Sequence, residues 1–140
     1  MSRQDDAPLG SPGSPGGRIL IVDDDPVARR VLLSMLERAH YDVMASTDGR
    51  EAWTELAAAR IDLVITDREM PAMNGVELLR AVRQSPRHGG VPVIMLTGTT
   101  LETAGDEADA AGASAFLTKP VSSRELLETV ERLLRGTGAH

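Results

Sequence analysis

Two hydrophobic rhythms alternate along the chain from Arg18 onward. Ile19-Leu20-Ile21-Val22 is an unbroken apolar run, as a strand covered on both faces of a parallel sheet requires. A helical spacing follows: Pro26 suits a first helical position and Asp25 its cap, and Val31, Leu32, Met35 and Leu36 recur on one face. Val43 to Ala45 predict a short second strand. Asp48 with Glu51 three residues on has the form of a capping box, opening a helix that buries Ala52, Trp53 and Leu56. Leu63-Val64-Ile65-Thr66 is a third buried run, ending at Asp67. Asn74-Gly75 could turn a hairpin, but Val76, Leu79 and Val82 follow at helical spacing, so Asn74 is read as the cap of a third helix.

Pro92 to Leu96 and Ala115 to Thr118 predict the fourth and fifth strands. The helix between them, about Thr100 to Ala111, is the weakest, because Gly105 interrupts it and its apolar face is mostly alanine. Ser122 with Glu125 opens a last helix carrying a strong stripe of Leu126, Leu127, Val130, Leu133 and Leu134. Five strands alternating with five helices predict an α/β fold, a parallel sheet with right-handed crossovers.

Composition narrows this picture. The 140 residues, 41% hydrophobic, suffice for one domain with a sizeable core. Residues 1–17 contain GSPGSPGG and few large apolar side chains, which predicts a disordered tail, and residues 136–140 a short C-terminal one, leaving 18–135 as the domain. The N-terminal glycines precede the first strand, so they do not form a phosphate loop, which must follow a strand and open a helix. A net charge of −6 without any basic run argues against direct nucleic-acid binding. With no cysteine, disulfides and thiolate metal sites are excluded. No apolar stretch approaches a membrane span or the core of a signal peptide, so a cytoplasmic protein with no membrane partner is expected.

The chemistry lies where strands end. In open α/β sheets ligands bind in the crevice beyond the carboxyl ends of the strands. The first strand ends in Asp23-Asp24-Asp25, the third in Asp67, the fourth in Thr97 and the fifth in Lys119-Pro120. Two carboxylates about 4 Å apart repel by about 4 kcal/mol at an effective dielectric of 20, so a cluster of Asp23, Asp24 and Asp67 calls for a cation. Oxygen-only ligands with open positions point to Mg²⁺, which takes one or two carboxylates, waters and a phosphate oxygen.

This ordered set resembles the CheY-like receiver domains of two-component response regulators over Arg18 to about Arg135. The family pattern is an acidic pair after strand one, an acceptor Asp after strand three followed by Met-Pro and Gly, a Thr or Ser after strand four, and Lys-Pro after strand five. Here these are Asp23 and Asp24, Asp67 with Met70-Pro71 and Gly75, Thr97, and Lys119-Pro120. The resemblance implies a flavodoxin-like doubly wound sheet of order 2-1-3-4-5, an order it supplies and spacing does not.

It also implies roles. Asp67 would take a phosphoryl group from the phosphohistidine of a histidine kinase or phosphotransfer protein. Asp24, Asp67 and the Glu69 backbone carbonyl would hold Mg²⁺, with Asp23 acting through a bound water. Lys119 and Thr97 would bind phosphoryl oxygens, Lys119 thereby sharing in the catalysis. Phe116 would be the switch aromatic, and in such domains the bond corresponding to Lys119-Pro120 is often cis, against about 5–6% of X-Pro bonds in general. The implied output is a downstream protein meeting the face of the fourth helix, fifth strand and fifth helix, and the resemblance also admits a phosphorylation-dependent homodimer. Such a domain is a signalling phosphoacceptor that catalyses only its own phosphoryl transfer and slow dephosphorylation. Glu69 and Val121 stand where relatives vary or carry other residues, which leaves phosphoryl lifetime and output surface open.

Plainer readings compete at several positions. Asp25 is read as a helix cap, Trp53 and the methionines as core, and Phe116 serves equally well as ordinary packing. His40, His88 and His140 lack ligand spacing. Asp23-Asp24-Asp25-Pro26-Val27 also partly resembles the nucleophile motif of haloacid-dehalogenase-like phosphatases, which would make Asp23 the nucleophile and leave Asp67 idle. A receiver-like binding module that is never phosphorylated is the other alternative; it gives no physical reason to assemble a costly charge cluster.

Overall fold

The structure, a computed structural model, describes residues 17–68, 74–98 and 112–136. In chain order its elements are β1 (Arg18–Val22), α1 (Pro26–Arg38), β2 (Asp42–Ser46), α2 (Gly49–Ala58), β3 (Leu63–Asp67), α3 (Gly75–Gln84), β4 (Val93–Thr97), β5 (Ala115–Thr118) and α4 (Ser123–Gly136). The strands form one sheet in the order β2-β1-β3-β4-β5, every neighbouring pair parallel. This is the flavodoxin-like order 2-1-3-4-5. The helix expected over 100–111 lies outside the described residues, which contain four of the five predicted helices.

Pleating divides the apolar runs between two cores. Leu20, Val22, Val64 and Met95 face one way and pack with Ala52 and Leu56 of α2 and Val76, Leu79 and Val82 of α3. Ile19, Ile21, Leu63, Ile65, Ile94 and Leu96 face the other and pack with Leu32 and Leu36 of α1 and Leu126 and Val130 of α4. Burial on both faces explains why β1, β3 and β4 read as continuous apolar runs. No helix among the described residues is long and apolar enough to cross a membrane.

The caps explain where the helices start, with one departure. Asp25 accepts from Val27 N and Pro26 takes the first helical position, as expected. At α3 the capping box is complete: Asn74 accepts from Glu77 N, and the Glu77 carboxylate accepts from Asn74 N. At α2 the box opens by one residue. Asp48 accepts from Glu51 N, but the Glu51 carboxylate reaches back past the cap to Thr47 N, at 2.6 Å. Two further boundaries differ from the pattern. Gly17, placed in the tail by composition, accepts from Asp42 N, and Gly136 is the last residue of α4. Val31, expected on the buried face of α1, is 45% exposed, because Leu32 and Leu36 carry the contact with the sheet and Val31 falls on its flank.

Arg83, on α3, ties the far side of the sheet together. Its guanidinium donates to the carbonyls of Gly112 (2.9 Å), Gly89 (3.1 Å) and Val91 (2.5 Å) and to Ser114 Oγ (3.3 Å). Burial lowers the Arg83 pKa from its usual value. Bonds from a charged donor contribute about 1.5–3 kcal/mol each but do not add, so Arg83→Met is expected to cost about 2–3 kcal/mol in urea unfolding. A loss below about 0.5 kcal/mol would mean that water replaces the guanidinium at these carbonyls without penalty.

Candidate functional site

Because all five strands are parallel, their carboxyl ends share one edge of the sheet, and Asp23, Asp24, Asp67, Thr97 and Lys119 lie there. Asp67 closes β3 and is 7% exposed; Asp23 follows β1 and is fully buried; Asp24 is exposed. Carboxylate oxygens of the three lie within 4.8 Å of one another. Lys119, just beyond β5, places Nζ 3.0 Å from Asp67 Oδ2 and 3.4 Å from Asp23 Oδ2. Its backbone N–H donates to the Thr97 carbonyl at 2.8 Å, which fixes the Lys119 loop to the end of β4. The Lys119-Pro120 bond is cis, as the resemblance implies.

Two opposing effects act on the Lys119 ammonium. Partial burial favours losing its proton, while the hydrogen bond and charge of Asp67, joined by Asp23, favour keeping it; the anions prevail and the pKa is raised. Lys119 therefore stays a cation throughout the physiological range.

Asp23 and Asp24 are adjacent in sequence and opposite in environment. Every polar group of Asp23 has a partner: its N–H donates to Ser46 O, its carbonyl accepts from Arg29 Nη1, Oδ1 accepts from Asp25 N, and Oδ2 faces Lys119. The exposed Asp24 carboxylate, by contrast, can turn toward a cation at the edge. The three acids offer the oxygen-only donor set that a hard divalent ion prefers, so the site fits Mg²⁺.

Thr97 closes β4, fully buried and in register with Thr118. Phe116 is half-buried on the edge strand β5, level with Met95 and packed against the core on the α2/α3 face. Asp25 caps α1, in agreement with its plainer reading. Glu69, Met70 and Pro71 lie outside the described residues. Trp53 is half-buried, its ring edge-on to that of His88 at 6.1 Å.

Three features escaped the sequence reading. Arg29 contributes a direct bond to the acidic loop, and nothing in its helical position signals this. Gly75 approaches β3 so closely that a Cβ there would collide with the Asp67 carbonyl oxygen. Beside the site a cleft of about 400 Å³ opens between α1 and the Lys119 loop, lined by Ala28, Val31, Met35, Pro120 and Val121 among others.

Comparison with known proteins agrees with this geometry. The model of the response regulator receiver domain family matches residues 19–131. Chemotaxis protein CheY1 of Helicobacter pylori is 36% identical over 124 residues, 84% of this chain and 96% of its own length. The 3',5'-cyclic-nucleotide phosphodiesterase regA of Dictyostelium discoideum is 34% identical over 84% of this chain, which spans only 15% of that protein. Among solved structures, the receiver domain of sensor histidine kinase PA1611 from Pseudomonas aeruginosa, described with a magnesium ion coordinated in its active site cleft, is 30% identical. It superposes with a TM-score of 0.80, covering 87% of this chain and 96% of its own. The fold order, the acidic edge and these matches together show that the chain belongs to the response regulator receiver domain family of two-component systems.

Proposed function

We propose that this receiver domain accepts a phosphoryl group on Asp67 and converts its charge into a change of protein-binding surface. The observation that carries the reading is the meeting of Asp67 with Lys119 and the acidic pair at one sheet edge. An Asp67 carboxylate oxygen attacks phosphorus, the P–N bond of a donor phosphohistidine breaks, and its electron pair leaves with the imidazole. The product is an aspartyl phosphate. Asp24, Asp67 and the Glu69 carbonyl would hold Mg²⁺, with Asp23 acting through water; the bound ion would supply charge neutralisation for the transferring group. Lys119 holds a phosphoryl oxygen electrostatically, and the Thr97 hydroxyl donates to another.

Burial separates the two candidate nucleophiles. Asp23 is fully buried, with its carboxylate oxygens engaged by Asp25 N and Lys119 Nζ, whereas Asp67 is 7% exposed, which favours Asp67 over the nucleophile of the phosphatase-like alternative. A dianion on Asp67 would offer the Thr97 hydroxyl an anionic acceptor. An inward move of Thr97 would free space for Phe116 on the neighbouring strand, altering the face of the predicted fourth helix, β5 and the last helix, where a downstream protein or a second copy would dock. The cognate donor would be a histidine kinase or phosphotransfer protein.

The test is incubation with Mg²⁺ and acetyl phosphate followed by peptide mass spectrometry. One phosphoryl group on Asp67 is expected, with the rate falling about 100-fold or more when EDTA removes the ion, equivalent to several kcal/mol. Modification at Asp23 would sink the reading in favour of a phosphatase. No modification at all would favour the unphosphorylated binding module.

A further inference from the structure

We propose that Arg29 is a positioning residue for the acidic loop, setting the direction of Asp24 through the peptide that joins it to Asp23. The inference rests on the reading of Asp24 as a metal ligand. Arg29 lies in the first turns of α1, half-buried, and its Nη1 donates to the Asp23 carbonyl oxygen at 2.7 Å, a short charge-assisted bond. That carbonyl belongs to the same planar peptide unit as the Asp24 N–H, so holding the oxygen fixes the plane from which Asp24 departs.

The remaining atoms of Asp23 are anchored from other directions, by Ser46 O, by Asp25 N and by Lys119 Nζ. These contacts secure the residue before the joint. Arg29 alone, among the bonds described for this loop, acts on the 23–24 peptide itself. Since α1 starts at Pro26 with Asp25 as its cap, the helix carrying Arg29 is built directly onto the loop it orients.

Charge alone makes the opposite prediction, which separates the two roles. A cation near a divalent-metal site repels the metal, so if Arg29 acted merely as a charge, removing it would tighten Mg²⁺ binding. If it orients the loop, removing it weakens binding, as loss of an outer-shell partner does by about 10-fold or more.

The experiment is calorimetric Mg²⁺ titration of wild type, Arg29→Met and Arg29→Lys at constant ionic strength, with amide spectra of the metal-free proteins. The expected result is about 10-fold weaker binding in Arg29→Met and recovery to within about three-fold of wild type in Arg29→Lys, which keeps the charge and an ammonium that can donate to the same carbonyl. The Asp24 and Asp25 amide resonances should shift in the methionine variant and return in the lysine variant. Unchanged or tighter binding in Arg29→Met would overturn the proposal, as would equal weakening in both variants, which would assign the loss to a damaged helix. Wild type that binds no Mg²⁺ would instead overturn the reading of Asp24 as a ligand, and the role of Arg29 with it.

Discussion

Asp67→Asn is expected to abolish phosphoryl acceptance while leaving the protein folded. The amide has the shape of the carboxylate and none of its nucleophilicity, so no acyl phosphate should form with acetyl phosphate or a phosphorylated kinase. Asp67 is one of three clustered acids, and neutralising it relieves repulsion from Asp23 and Asp24 at the cost of its ion pair with Lys119. Lys119 keeps Asp23, 3.4 Å away, so its charge is not stranded. Stability should therefore change by less than about 1 kcal/mol in urea unfolding, while Mg²⁺ affinity drops by about 10-fold with one anionic ligand gone. Phosphate incorporation by intact-mass spectrometry is the decisive measurement. A variant that still gains one phosphoryl group would place the acceptor elsewhere and remove Asp67 from the centre of the mechanism.

Much of this site was legible in the sequence, because parallel topology does the assembling. A run such as Leu63-Val64-Ile65-Thr66 announces a strand buried on both faces, and in a parallel sheet whatever follows each run arrives at the same edge. Asp23, Asp67, Thr97 and Lys119 could thus be placed together without knowing any distance. The strand order could not be read this way, since the spacing of runs does not say which strands are neighbours; it came from resemblance.

Most of the features that stayed hidden are bonds made by long polar side chains, or close approaches of backbone, which hydrophobic spacing does not record whether the partner is near in the chain, as for Arg29 and Asp23, or far. Arg83 occupies an ordinary polar position on α3, yet its partners at Gly112 and Ser114 lie 29 and 31 residues away. Hydrophobic periodicity records which face of a helix is buried, not what a long polar side chain reaches. The same limit explains Val31. Periodicity gives a face broad enough to include it, whereas only Leu32 and Leu36 of α1 are buried and Val31 stays exposed. At α2, the sequence fixes that Glu51 can cap but not which of two neighbouring N–H groups it selects.

Gly75→Ala should be damaging for structural reasons that carry directly into function, because among the described glycines an added methyl comes closest to another atom here. Gly75 is the first residue of α3, and its N–H donates to the Arg68 carbonyl at 3.1 Å, binding the helix start to the residue after Asp67. A methyl at this position would press into the Asp67 carbonyl oxygen and come within 2.9 Å of Met95 Sδ and 3.0 Å of Arg68 Cα. The thioether can swing aside; the two backbone atoms cannot move without displacing Asp67 itself. The demand on Gly75 is thus one of space rather than backbone conformation. Overpacking of this kind costs about 1–3 kcal/mol, and alanine's better helix propensity, about 1 kcal/mol in a helix interior, offsets little at a first position. The effect on phosphorylation should exceed the effect on stability, because a displacement of about 1 Å at a reacting group can cost about 100-fold in rate. Gly98→Ala is the control: it too lies beside the site, but a Cβ there meets nothing within 4 Å, so that variant should unfold within about 0.5 kcal/mol of wild type. Urea unfolding and the initial rate of Mg²⁺-dependent phosphorylation, measured on both variants, decide the matter. If Gly75→Ala matches Gly98→Ala in both, the helix start is free to retreat from the acceptor, and the position of Asp67 does not depend on the packing of α3 against it.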